Sequence, residues 1–163
     1  MTLTCARLTD DDVPAFYEVA KVAEPFAAEL APTLAHFRAT ISGVGGVEGF
    51  ALKQEDGRLV GGVTFTHLIP LVDVMIHAVV SKQVRGRWLT REILGTVFRY
   101  AFEELKLARV SAYSIPGFGA ESELLLTKMG FRLEGVKSAA ALFPDGYHDV
   151  WLFGMVRGGC PWI

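Results

Sequence analysis

Between Glu48 and Leu105 the chain writes three β-rich runs and then a helix, and this order constrains the fold more than any other feature. The runs "EGFALKQ" and "RLVGGVTFTHLI" are joined by "EDGR", and Asp56-Gly57 between apolar segments is a strong hairpin signal. The third run, "VDVMIHAVV", is the most apolar of the three, as a strand at the centre of a sheet requires. A short basic loop, "SKQVRGR", follows it. Beyond the loop, Ile93, Leu94, Val97, Phe98, Ala101, Phe102 and Leu105 recur at helical spacing, while Arg99, Glu103, Glu104 and Lys106 take the opposite face.

The flanking segments extend this frame. "TCARLTDDDVPAFYEVAKVA" reads as a strand and then a helix, capped by Thr9 or Asp10, with Asp10 to Asp12 suited to the positive end of its dipole. "PTLAHFRATI" reads as a second helix, ended by the "SGVGG" breaker; Gly43 to Gly46 there match neither a phosphate loop nor a dinucleotide fingerprint. Downstream come a strand in "ARVSAYSI", the turn "PGFG", and a short helix in "AESELLLTKM" that Gly130 stops. "FRLEGVKSAAALF" and "YHDVWLFGMV" close the chain as a hairpin across "PDG". The order predicts a mixed α/β sheet, mostly antiparallel, in one domain over residues 1–163.

Composition narrows the function classes. Hydrophobic residues make up 51% of the chain, which excludes general disorder, and a net charge of −2 argues against a nucleic-acid binder with a broad basic footprint. Cys5 and Cys160 form no C-x-x-C pair, and His36, His67, His77 and His148 show no metal-ligand spacing, so no metal is expected. No apolar run is long enough for a bilayer and no basic-then-apolar leader opens the sequence, so the expectation is a cytoplasmic protein without a membrane partner.

Positive charge that matters must then be local, and Lys82, Arg85, Arg87 and Arg91 gather where the helix begins. Cations there oppose the helix dipole. They make better sense beside an anion held by unpaired amides, with Gly86 letting backbone come close. A solvated basic turn is the plain alternative.

"AVVSKQVRGRWLTREIL" after a central strand resembles the acyl-CoA-binding segment of the GNAT (Gcn5-related) N-acetyltransferase superfamily, with signature Q/R-x-x-G-x-G/A. Gln83 and Gly86 match, and Trp88 departs from the last position. "ESELLLTKMGFRLEGV" is similar to the S-x-x-L-L-x-K-x-G-F-x-x-E-G element of the ribosomal-protein branch, and "DGYHDVWLFGMV" to its final hairpin. The ending "GMVRGGCPWI" resembles acetyltransferase-like proteins of phage and prophage genomes.

The resemblance implies acetyl-CoA as co-substrate and an amine acceptor, protein or small molecule. The cofactor would be held by Ala78, Val79 and Val80, by the loop residues Gln83, Val84, Arg85, Gly86, Arg87, Trp88, Leu89 and Thr90, and by Gly119 and Ser122. It implies a splayed strand pair that admits the pantetheine arm, and an amide near Val80 facing the tetrahedral oxyanion. Asp73 falls close to the glutamate base of the histone-type branch and is the candidate base, His77 on the same strand face would relay a proton through water, and Ser122 would hydrogen-bond the sulfur or the pantetheine. As packing residues, Asp73 ends a turn, His77 fills a strand position and Ser122 caps a helix. Gly119 stands where an asparagine is usual, and Leu126 where many members carry a tyrosine acid. Those departures leave a rival reading, a CoA-binding or protein-interaction module that has lost the reaction. A homodimer through an exposed sheet edge or the final hairpin is the expected assembly.

Overall fold

The computed structural model describes residues 2–24, 31–41, 48–117 and 122–163. The glycine loop at Gly43 to Gly46 and the position Gly119 lie outside the described residues. Strand β1 (Leu3–Arg7) leads through a short 3-10 turn (Asp10–Asp12) into helix α1 (Val13–Ala23). Thr9 and Asp12 fix that entry, because the Thr9 amide and hydroxyl both donate to Asp12 Oδ2, at 3.0 and 2.9 Å. Helix α2 (Leu34–Ile41) follows, then strands β2 (Phe50–Gln54), β3 (Leu59–Ile69) and β4 (Asp73–Val80). The β2–β3 turn carries Gly57 at φ 81°, as the Asp-Gly signal predicts.

The helix after β4 does not start in the basic stretch. Lys82–Val84 forms a 3-10 turn, and helix α3 (Arg91–Arg99) begins only at Arg91, with Thr90 as its cap accepting from the Ile93 amide at 3.2 Å. Its last turn widens into a π-helix over Tyr100–Glu104, where the Leu105 amide donates to the Tyr100 carbonyl. Tyr100, at the start of that turn, is buried in the core, and its hydroxyl accepts from the Glu48 amide at 2.8 Å. Strand β5 (Arg109–Ser114), helix α4 (Ser122–Met129) and strands β6 (Arg132–Phe143) and β7 (Gly146–Val156) complete the elements.

The seven strands form one sheet in the order β1-β2-β3-β4-β5-β7-β6. Neighbours are antiparallel except β4 and β5, which are parallel and meet at a single register pair, Met75 with Ser111. Each face of the sheet has its own core. On one face α3 buries Ile93, Leu94, Val97 and Phe98 against Val63, Phe65 and Val74. On the other, α1 and α2 bury Phe16, Tyr17 and Phe37 against Ala51 and Leu59.

The glycine pair in "LVGGV" marks a close approach of β3 to its neighbours. A Cβ on Gly61 would lie 2.6 Å from the Val79 carbonyl oxygen and 2.9 Å from Val80 Cα. One on Gly62 would lie 2.7 Å from the Phe16 ring. Strand β3 is thus pressed between β4 and α1 where only hydrogen side chains fit.

Candidate active site

Beyond Met75 and Ser111 the two parallel strands part, and a cleft of about 210 Å³ opens between them. One wall is the run Ile76 to Val80 of β4, and the other is Ala112 and Tyr113 of β5. Leu125, Leu126 and Met129 of α4 cover one side, and Ala23 and Glu24 at the end of α1 border it. Arg85 and Trp88 of the basic loop close the far end.

The backbone of β4 follows from the ladder with β3. The Ser81 amide donates to the Val60 carbonyl at 2.8 Å, and Gly61 pairs with Val80. Antiparallel pairing alternates, so Val79 turns its amide and carbonyl toward Gly62, and Ala78 and Val80 turn theirs toward the gap. Of the three β4 residues assigned to the cofactor, Ala78 and Val80 therefore offer backbone groups. Val79 contributes side-chain surface.

The loop is built to expose amides. Gly86 has φ 80°, a conformation only glycine adopts without strain, and open space lies where its Cβ would stand. Among the described residues, the amides of Gly86, Trp88 and Leu89 have no hydrogen-bond acceptor. Gln83 and Arg87 are exposed beside them, and Arg85 is half-buried. Val84 is fully buried and anchors the loop, Leu89 packs on the core, and the Thr90 hydroxyl is engaged as the helix cap. Trp88 does not obstruct the turn. Its indole is 2% exposed, joins the core under α3 and lines the cleft, with Nε1 buried and unpartnered. Open amides, flanking cations and a splayed strand fit a diphosphate with an extended thiol arm.

Besides Arg85, three ionisable groups border the same cleft. Burial and the neighbouring His67 push the His77 imidazole down to about 4, so it is neutral at physiological pH. Burial raises the Glu24 carboxyl, against the opposing pull of Arg85. Burial and the Glu24 charge raise the Tyr113 phenol, which therefore keeps its proton. The Tyr113 ring stands edge-on to His77, centroids 5.5 Å apart.

The structure does not bring Asp73 into this cleft. Its Oδ2 accepts from the Ser111 hydroxyl at 2.6 Å and lies 3.3 Å from Arg109 Nε, while Arg109 Nη2 donates to Glu134 at 2.6 Å. This polar network clamps the closed end, where β4 and β5 still touch. Ser122 is the first residue of α4, but its side chain and Gly119 lie outside what is described. Leu126 does reach the cleft, as an apolar group. Glu24 and Tyr113 carry no motif signal. Tyr113 sits on β5, which walls the cleft, and only the packing of α1 reveals Glu24. Among the described residues, no group of three or more His, Cys, Asp or Glu is arranged to hold a metal ion. No helix among them is long and apolar enough to cross a membrane.

The sequence matches the family model for the acetyltransferase (GNAT) domain over residues 2–132. No curated protein matches the chain. An acetyltransferase of the GNAT family from Bacillus anthracis superposes with a TM-score of 0.73 at 19% identity, covering 97% of this chain and 96% of that one. A ribosomal-protein alanine N-acetyltransferase from Escherichia coli gives 0.71 at 16% identity, with 95% and 94% covered. A spermidine/spermine N-acetyltransferase from Vibrio cholerae gives 0.72 at 16%, with 96% and 93% covered. At these identities the likeness speaks for the fold.

Proposed function

The chain belongs to the GNAT acetyltransferase family, and from that premise we propose that it moves an acetyl group from acetyl-CoA directly to a primary amine. The observation that carries this reading is the β4–β5 splay, with backbone of Ala78 and Val80 turned into a cleft that the basic loop closes. The amides of Gly86, Trp88 and Leu89, with Arg85 and Arg87, would hold the diphosphate, and the thiol arm would lie along β4. The Val80 amide, turned toward the gap, would face the oxyanion formed when the amine attacks the thioester. His77 lines the acceptor side and accepts the amine proton, a step useful because a free lysine amine titrates near about 10.4. Asp73 keeps the strands clamped, and positioning does most of the catalysis.

The acceptor class is a peptide α-amine, a lysine or a small polyamine, with the peptide favoured by the ribosomal-type "SELLLTKMGFRLEG" element. A cytoplasmic setting belongs to the same proposal. So does a homodimer: β6 is a long, largely exposed edge strand carrying Leu133, Val136 and Leu142 at the surface.

Calorimetric titration with acetyl-CoA, followed by a thiol assay for CoA release with spermidine or an alanine-leading peptide, tests the reading. Binding with amine-dependent release supports it. Binding without release favours the second reading, a module that holds CoA but has lost transfer, for which apolar Leu126 in the cleft is the specific observation. Absence of binding removes both.

A further inference from the structure

We propose that Thr66 and His67 continue from His77 as a proton path that leads from the cleft to solvent. The links are short and unbroken. His77 lines the cleft, its Nε2 lies 2.8 Å from Thr66 Oγ1, and Thr66 Oγ1 lies 2.9 Å from His67 Nδ1. His67 is exposed at the other end. Among the described residues the other ring nitrogen of His77 has no hydrogen-bond partner, and this leaves Nδ1 for the acceptor amine.

The backbone is bent to make this chain. Successive residues of a strand point to opposite faces, so Thr66 and His67 would normally diverge. Here the β3–β4 register breaks between Thr66 and Ile69, and His67 takes φ 54°, a left-handed conformation uncommon outside glycine that histidine enters more readily than most side chains. That distortion swings the His67 ring back onto the Thr66 hydroxyl. The distorted segment lies one hydrogen bond from His77, which lines the cleft.

The proposal rests on the acetyl-transfer reading, and the proton balance is simple. As the amine nitrogen bonds to the thioester carbon, its proton passes to His77 Nδ1, and the Nε2 proton of His77 passes to Thr66 Oγ1. The Thr66 hydroxyl proton passes to His67 Nδ1, and His67 releases its Nε2 proton to water. The C–S bond breaks with its electron pair on sulfur, which leaves as the CoA thiolate. One proton has moved from the amine to solvent. Burial makes His77 a poor store for a proton, with its value near about 4. A ring that accepts on one nitrogen while donating from the other needs no stored charge. This reconciles a strongly depressed imidazole with a place in proton transfer. Tyr113, edge-on to the ring, fixes its plane.

The test uses the full chain with acetyl-CoA and whichever of spermidine or an alanine-leading peptide the wild type consumes. Thr66→Val, which keeps the shape and removes the hydroxyl, should lower kcat by about tenfold or more, with KM for acetyl-CoA little changed. Thr66→Ser should return most of that rate. His67→Ala should fall similarly and recover with free imidazole, since the ring it replaces is open to solvent. In the ligand-free protein, nitrogen NMR of the imidazoles should show Thr66→Val shifting both His67 and His77. Wild-type rates in Thr66→Val and His67→Ala overturn the path, as does Thr66→Ser as slow as Thr66→Val or a His67 resonance indifferent to the loss of the hydroxyl. Wild type that releases no CoA overturns the transfer reading and the path with it. Turnover alongside unaffected variants overturns the path alone.

Discussion

Replacing His77 by glutamine should remove a specific part of the protein's sensitivity to acid. The imidazole titrates at about 4 in the folded chain against 6.5 for the free side chain, because burial and His67 disfavour its charge. Between those values the unfolded chain binds the extra proton, so stability is intact above pH 6.5 and is lost as pH falls toward 4. Integrating that difference from pH 7.5 to pH 4.5 gives about 2.5 kcal/mol lost through this one group. For a chain of this size the loss corresponds to roughly 5–10 °C in Tm. Glutamine keeps an amide near the Thr66 hydroxyl and does not titrate. The groups around the ring are His67 on β3, Tyr113 on β5, Glu24 at the end of α1 and Arg85 in the loop. Glu24, whose carboxyl is raised, contributes in the opposite sense, and it does so in both proteins. Urea titrations of wild type and His77→Gln at pH 7.5, 6.5, 5.5 and 4.5 isolate the term. The variant should gain on the wild type steadily through the acid range. Parallel curves would refute the argument that the ring is held neutral by its surroundings.

Other outcomes follow from the same geometry. Arg85→Ala and Arg87→Ala should each weaken acetyl-CoA binding by about tenfold, the loss expected for one charge-assisted contact, and calorimetry with unchanged affinity would remove the loop from the site. Gly62→Ala drives a methyl group 2.7 Å from the Phe16 ring and should cost about 1–3 kcal/mol in thermal or urea unfolding. Asp73→Asn breaks the pair with Arg109 and weakens the Ser111 contact in a partly exposed setting, a loss of about 1–2 kcal/mol. Its pH–rate profile should keep its shape; an abolished kcat with unchanged Tm would return Asp73 to the role of base.

The strands and the loop were legible because their signals are local. Asp56-Gly57 announces its turn, the apolar run Val72 to Val80 its central strand, and Gly86 the turn whose positive φ it adopts. What escaped depends on distant partners. Asp73 looks like a base at the start of a strand until Ser111, 38 residues on, takes its oxygen, and Arg109 links it to Glu134. The helical pattern runs on through Leu105, and no periodicity announces the π turn over Tyr100–Glu104. Glu24 enters the site only through the docking of α1, and no periodicity encodes the left-handed backbone of His67. Trp88 departs from the family signature, and burial resolves it: the indole belongs to the core, and the turn stays open.

Past the Met75–Ser111 pair the sheet divides into two plates, four strands and three, hinged at the end where Ser111 donates to Asp73 and the Val72 carbonyl accepts from the Ala108 and Arg109 amides. The aperture between them is governed by side-chain bulk at Ile76, Ala112 and Leu126 more than by main-chain bonding. Any molecule that borrows the spare hydrogen-bonding capacity of Ala78 and Val80 becomes a lacing between the plates, so occupancy should couple their motions.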